Sequence, residues 1–460
     1  MNYNGGKWLI RRLCTEVKKV NIYRQLSALE MTGGTVSQTL NQYVMEGKSI
    51  QKEELERCVK QLRKYHKFQH ALEIMEWMEM RKVNFASDNY AIYLDLISKT
   101  KGLDAAENYF NSLPLEAKNK YTYGALLNCY CKNLVTDKAL AHFEKMDELG
   151  FVTNLAFNNL MSLYMRLGQP EKVPLLVDDL KQRKIPMAAF TYHIWMNSYA
   201  DLNDLNGVER VYEEMKREDE KEISWHTYNN LSAIYVKTKD FEKAESFLKM
   251  VEQKVQPQQR YTYHFLLSQY AATSNLVEVH RIWNSLKSVF PVTNMSYLAM
   301  LHSLRRLDDI EGITKCFKEW ESNCVTYDIR LVNVVISVYL SHNLSDEAEL
   351  VFKEAIRRRK NGPFFRIREM FMMYYLEKGQ LDGALSHLEA VFSDVGIEKW
   401  RPSPEVASAF LKYYEEETDL DGVEELSKIL KSHNLDYSWF KSSPVINETL
   451  EEDSQVNSAL

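Results

Sequence analysis

The chain has 460 residues, 45% of them hydrophobic and 27% charged, and a formal net charge of −6. Its longest apolar run, Leu331–Leu340, is ten residues broken by Asn333 and Ser337; a bilayer span needs about 20, so no membrane segment is expected. The six cysteines (Cys14, Cys58, Cys129, Cys131, Cys316 and Cys324) form no CxxC pair and read as reduced, mostly packed thiols in a reducing compartment.

Residues 1–21 carry Lys7, Arg11, Arg12, Lys18 and Lys19 against the single acid Glu16, with Leu9, Leu13 and Val17 on one helical face. Such a basic amphipathic segment is of the kind that targets proteins to organelles. Residues 22–51 read as a degenerate leading helical hairpin. Its Gly33-Gly34 pair is a turn rather than a phosphate loop, because no lysine-serine or glycine spacing follows.

From residue 52 the pattern becomes regular. In Trp225–Gln259, residues Tyr228, Leu231, Ile234 and Tyr235 form one apolar stripe of helical period. Thr238, Lys239 and Asp240 interrupt it. Phe241, Ala244, Phe247, Leu248 and Val251 form a second stripe, and Pro257 ends the unit. A hairpin of this kind cannot bury both stripes alone and needs copies on either side.

The copies are present. With Asn229 as a mark, equivalents fall at Glu56, Ala91, Gly124, Asn158, His193, His264, Leu298, Asn333, Glu369 and Ser408, in steps of 33 to 39 residues. Fifteen residues past each mark lies a small or branched aliphatic: Ala71, Ala106, Ala139, Val173, Val208, Ala244, Val279, Ile313, Ala348, Ala384 and Val423. This column is expected where the two helices of a pair approach closely. Six past the mark is tyrosine in eight units (Tyr130, Tyr164, Tyr199, Tyr235, Tyr270, Tyr339, Tyr375 and Tyr414) and Leu62, Ile97 or Leu304 in the others. Length alone would suggest about three ordinary domains; the repeats replace that with one array over 52–438.

The charge shifts at the end of the chain. From Pro404 onward there are 13 acids and 4 bases, net −9, which leaves about +3 for Met1–Ser403. Residues 439–460 are acidic and lack a periodic stripe, as a disordered tail would.

Lys120–Met146, with YTYGALLNCYCK followed by DKALAHFEKM, resembles the pentatricopeptide repeat, as do TYHIWMNSY from Thr191 and TYHFLLSQY from Thr262. The tetratricopeptide repeat fits less well. It wants glycine three past the mark, where this chain has Val59, Leu94, Leu127, Met161, Met196, Ser232 and Leu267. The resemblance implies an all-α, right-handed α-solenoid superhelix of about eleven helix-turn-helix units. It also implies work in an organelle, a mitochondrion or alternatively a chloroplast.

The resemblance further implies that the first helices line a groove for single-stranded organellar RNA. Residues at the mark would face a base: Gly124, Asn158, His193, Asn229, His264 and Asn333. Residues three before the mark would stack on bases: Tyr121, Leu155, Phe190, His226, Tyr261 and Met295. Residues eight past the mark would meet phosphate: Lys64, Lys99, Lys132, Arg166, Lys237 and Arg306, as one cationic track. Base readout is incomplete, since Asn158 is followed by Ala188 and Asn333 by Phe364, which complete no hydrogen-bond pair.

An enzyme is not expected. His142-Phe143-Glu144 and His387-Leu388-Glu389 echo a deaminase HxE, but no CxxC follows either, and a zinc site needs converging ligands. No catalytic residue, metal or cofactor is implied. The reading is a monomeric, non-enzymatic RNA-binding protein with no membrane partner, supporting transcript stability, processing or translation. The alternative is a protein–protein scaffold associated with an organellar ribosome, which the acidic end favours.

Overall fold

A computed structural model describes residues 22–27, 29, 34–218, 223–255, 259–358, 364–393 and 402–417. The targeting segment expected at 1–21, the tail expected at 439–460, Cys14, Gly33 and Val423 lie outside the described residues. All regular structure among the described residues is helical. The chain divides into two compact units, 1–227 and 228–460.

The first unit opens with Ile22–Ser27 and Val36–Met45, then builds paired helices: Lys52–Lys64 with Phe68–Met80, Ser87–Lys101 with Leu103–Ser112, and Lys120–Lys132 with Thr136–Glu148. Asn154–Arg166 with Lys172–Gln182 and Ala189–Asp201 with Leu205–Glu218 complete it. The unit boundary falls within the next helix, Trp225–Lys237, which pairs with Phe241–Lys254. The second unit continues with Arg260–Ala272 and Leu276–Val289, Asn294–Arg306 and Ile310–Asn323, Ile329–Ser341 and Ser345–Arg358, and Phe365–Glu377 and Leu381–Ser393. Pro404–Glu417 is a further first helix. Within each unit, successive first helices pack directly on one another, as Ser87–Lys101 does on Lys120–Lys132 and Arg260–Ala272 on Asn294–Arg306. Each unit is thus an all-α solenoid.

The small column is the seam of each pair. From Ala71 to Ala384 all ten described members are fully buried. A larger side chain there has no space, and overpacking a tight contact costs about 1–3 kcal/mol.

The turns obey a rule that apolar periodicity did not disclose. Ten residues past the mark the backbone is left-handed in His66, Leu134, Gly168, Asn203, Lys239, Ser274, Asp308, Asn343 and Gly379, with φ between 57° and 69°. The second pair turns instead at Gly102 (φ 92°). Left-handed residues let the chain fold back and return hydrogen bonds to otherwise unpaired carbonyls at the helix end. The N–H of Asp240 donates to the Tyr235 carbonyl (2.9 Å), that of Gln169 to Tyr164 (2.9 Å) and that of Lys67 to Leu62 (2.9 Å). The residue six past the mark, tyrosine in most repeats, thus also supplies the carbonyl that closes nine of the described first helices. Where Asp or Asn precedes the second helix its side chain caps it: Asp240 accepts from the Lys243 N–H, Asn275 from Glu278 and Asp309 from Gly312.

Cys58, Cys129, Cys131 and Cys316 are free and buried. Burial pushes the Cys58 thiol up to about 11 and those of Cys131 and Cys316 up to about 12, so they pack as weakly polar apolar groups.

Candidate functional site

Every first helix from Lys120 to Arg306 carries its stacking-column residue at its second position: Tyr121, Leu155, Phe190, His226, Tyr261 and Met295. All six are exposed; the five large apolar ones are 50 to 65% exposed. Residues three, seven and eleven further on share that helical face. In Lys120–Lys132 the face reads Tyr121, Gly124, Asn128 and Lys132.

The mark column is less open than its position suggests. His193 Nε2 lies 3.1 Å from Thr227 Oγ1, and His264 Nε2 lies 2.9 Å from Ser296 Oγ, so each ring is tied to the next first helix. Burial pushes His193 down to about 4, with the His226 charge adding to the shift, and burial also lowers His264. Both rings are neutral at neutral pH. Asn158 is only 5% exposed. Its Oδ1 atom, and those of Asn229 and Asn333, are buried and meet no donor among the described residues. An unpaired buried acceptor costs about 1–3 kcal/mol, which makes these atoms places where an incoming donor is favoured. Gly124 adds space instead: a Cβ placed on it would meet no atom within 4 Å.

The cation column is exposed at Lys64, Lys99, Lys132, Arg166, Lys237 and Arg306. Five of these six end their helices, where a positive charge also suits the helix dipole. Lys64, Lys99, Lys132 and Arg166 belong to the first unit, Lys237 and Arg306 to the second.

A cavity of about 560 Å³ opens in the first unit between the Ser87, Lys120 and Asn154 helices. Tyr121, Gly124, Asn128, Lys132, Leu155 and Asn159 line it, together with Arg63, Asp95 and Lys99. Sequence reasoning singled out neither Arg63 nor Asp95. Asp95, 7% exposed, accepts from Lys99 Nζ (2.8 Å) and Arg63 Nη2 (2.9 Å), and Lys132 Nζ stands 3.8 Å away. Burial raises the Asp95 pKa, but the Lys99 and Arg63 hydrogen bonds and the Lys132 charge outweigh it and hold the carboxyl below its ordinary value.

In the second unit a cavity of about 420 Å³ lies against the Ile329, Phe365 and Pro404 helices, lined by Ser341, Arg366, Glu369, Met373, Glu377 and Glu405 among others. Here the stacking and cation columns carry Arg366, Glu405 and Glu377, so the apolar and cationic character of the earlier repeats has gone. No group of three or more His, Cys, Asp or Glu side chains is placed to hold a metal among the described residues. Nor is any described helix long and apolar enough to cross a membrane.

The family described as PPR repeat matches residues 121–151, 155–185, 190–219, 226–254 and 331–359. A mitochondrial pentatricopeptide repeat-containing protein of Arabidopsis thaliana is 51% identical over 89% of this chain and 77% of its own length. A second, also mitochondrial and from the same plant, is 48% identical over 95% of this chain and 85% of its own. The large ribosomal subunit protein mL101 (rPPR4) of Arabidopsis thaliana is 40% identical over 87% of this chain and 83% of its own. The crystal structure of PPR10 from maize is similar in fold, with a TM-score of 0.53 and 14% identity. The similarity covers 89% of this chain and 66% of the maize chain, just under two thirds.

Proposed function

The chain belongs to the pentatricopeptide repeat family, and from that premise we propose that it binds single-stranded RNA on the exposed face of its first helices, in a mitochondrion. The observation that carries this reading is the apolar column Tyr121, Leu155, Phe190, Tyr261 and Met295. It is kept half-exposed at the second position of successive first helices, although burying such side chains is otherwise favoured. Flat or apolar groups at a constant repeat spacing suit stacked bases, each worth about 1–3 kcal/mol whatever the base. The cations at the other end of the same helices suit the backbone phosphates. The protein acts by binding and carries no reaction. The unpaired acceptors of Asn158, Asn229 and Asn333 are the groups this reading assigns to base edges, with Gly124 leaving room for a large base.

A second reading, a protein scaffold on the organellar ribosome, is favoured by the likeness to mL101 and by the acidic face around Glu369, Glu377 and Glu405. Fluorescence anisotropy of labelled single-stranded RNA over a salt series tests the first reading. Sedimentation of tagged protein from mitochondrial extract through a sucrose gradient, with and without ribonuclease, tests the second. Micromolar or tighter RNA binding that weakens with salt supports RNA recognition. Salt-insensitive, weak binding together with co-sedimentation on the large ribosomal subunit would replace it.

A further inference from the structure

We propose that Asp95 is a built-in stand-in for an RNA phosphate, holding cations of the first three repeats until RNA displaces it. The inference rests on the RNA reading and adds a residue that limits affinity.

Four past the mark, the eleven repeats carry Lys60, Asp95, Asn128, Ser162, Asn197, Ala233, Ser268, His302, Ser337, Met373 and Lys412. Asp95 is the one acid in that column, and it sits on the groove-facing side of its helix, one turn before Lys99. Three successive first helices each send one cation to it: Arg63, Lys99 and Lys132. The Lys99 ammonium is further held 4.5 Å over the Phe68 ring. Two of the four cations that the repeat register offers to phosphate in the first unit are therefore already engaged. Arg166 differs: it has no acid partner among the described residues.

The same cavity holds donors without partners. Arg63 and Asn159 line it, and their Nε and Nδ2 atoms are buried and meet no acceptor among the described residues. Four cationic groups (Arg63, Lys99, Lys120 and Lys132) against Asp88 and Asp95 leave the lining net positive. An incoming anion is attracted, but it must compete with a carboxylate already in contact. A phosphate that displaces Asp95 leaves that carboxylate to gather a counterion of its own, so the cluster releases about one counterion fewer than its cations suggest. The visible ladder thus overstates the number of phosphate contacts that contribute to binding.

The test replaces the carboxylate by its isosteric amide, Asp95→Asn, in the full chain. Two probes are used, labelled single-stranded RNA and inorganic polyphosphate, a base-free polyanion, each titrated over a salt series. Asp95→Asn uncovers one cationic charge and is expected to bind both probes about 5-fold tighter at 0.1 M salt, and to steepen the slope of log affinity against log salt by about 0.7. Adding Lys132→Ala is expected to remove part of that gain. In the wild-type background Lys132→Ala is expected to change the slope less than Arg166→Ala, a comparison that stands even if Asp95→Asn fails to fold. Unchanged or weaker binding of both probes by folded Asp95→Asn overturns the inference, as does a Lys132→Ala effect equal to that of Arg166→Ala. If wild-type protein binds polyphosphate but not RNA, the RNA reading fails, while the polyphosphate slopes still decide the role of Asp95.

Discussion

The ring of Tyr199 rests on Gly207: a Cβ on that glycine would stand 2.6 Å from the ring carbons. The same pairing recurs between Tyr375 and Gly383, where the distance would be 2.8 Å. In three other repeats the residue in the glycine's place is lysine, and its ammonium lies over the equivalent tyrosine: Lys138 over Tyr130 (6.0 Å), Lys172 over Tyr164 (4.7 Å) and Lys243 over Tyr235 (4.9 Å). In these five repeats one position thus meets the tyrosine either with nothing or with a long cationic arm.

Gly207→Ala is expected to destabilise the protein, although alanine in an exposed helix would gain about 1 kcal/mol over glycine. The clash with the Tyr199 ring outweighs that gain, by an overpacking cost of about 1–3 kcal/mol. Chemical denaturation of Gly207→Ala, Tyr199→Leu and the double variant checks it. The double variant is expected to recover stability lost in Gly207→Ala, because the two residues share one contact.

Ala139→Leu and Ala244→Leu are each expected to lower stability by about 1–3 kcal/mol, since both alanines are fully buried in the seam of their pairs. Thermal melts monitored by circular dichroism check this. Val277→Ala, on an exposed side chain, serves as the control and is expected to change little.

His193 makes stability depend on pH. Its folded pKa is pushed down to about 4, below the unfolded value of about 6.5, so the unfolded chain binds the extra proton first. The contribution of the neutral ring is fully present above about pH 6.5 and is lost as pH falls toward 4. His193→Gln, which keeps a hydrogen-bonding group near Thr227 but does not titrate, is expected to flatten the fall in melting temperature over that window. An unchanged pH profile would mean that the ring is protonated without penalty.

Stacking and charge separate in their salt dependence. Tyr121→Ala in the first unit and Tyr261→Ala in the second are each expected to weaken RNA binding without altering the slope of log affinity against log salt. Arg166→Ala and Arg306→Ala are each expected to reduce that slope by about 0.7, with folding intact because exposed cations contribute little to stability. Anisotropy titrations at four or more salt concentrations distinguish the two classes. A slope change in Tyr121→Ala would remove the assignment of that ring to stacking.

Much of this protein follows from the sequence by itself. Helix pairs, their register and the buried seam from Ala71 to Ala384 come from local periodicity, because a helix face is set by spacing and a repeated unit can bury its stripe only against its neighbours. The six exposed side chains from Tyr121 to Met295 were legible for the same reason: repeat position fixes their place at the start of each first helix. Tertiary structure decided what depends on contacts between helices far apart in sequence. His193 and His264 turned out to be tied to Thr227 and Ser296 one repeat on, and Tyr199 to need the absent side chain of Gly207. Asp95 gathers Arg63, Lys99 and Lys132 from three helices. Spacing along one helix says which face a side chain occupies; only packing between helices says whether the charge there is free or already answered.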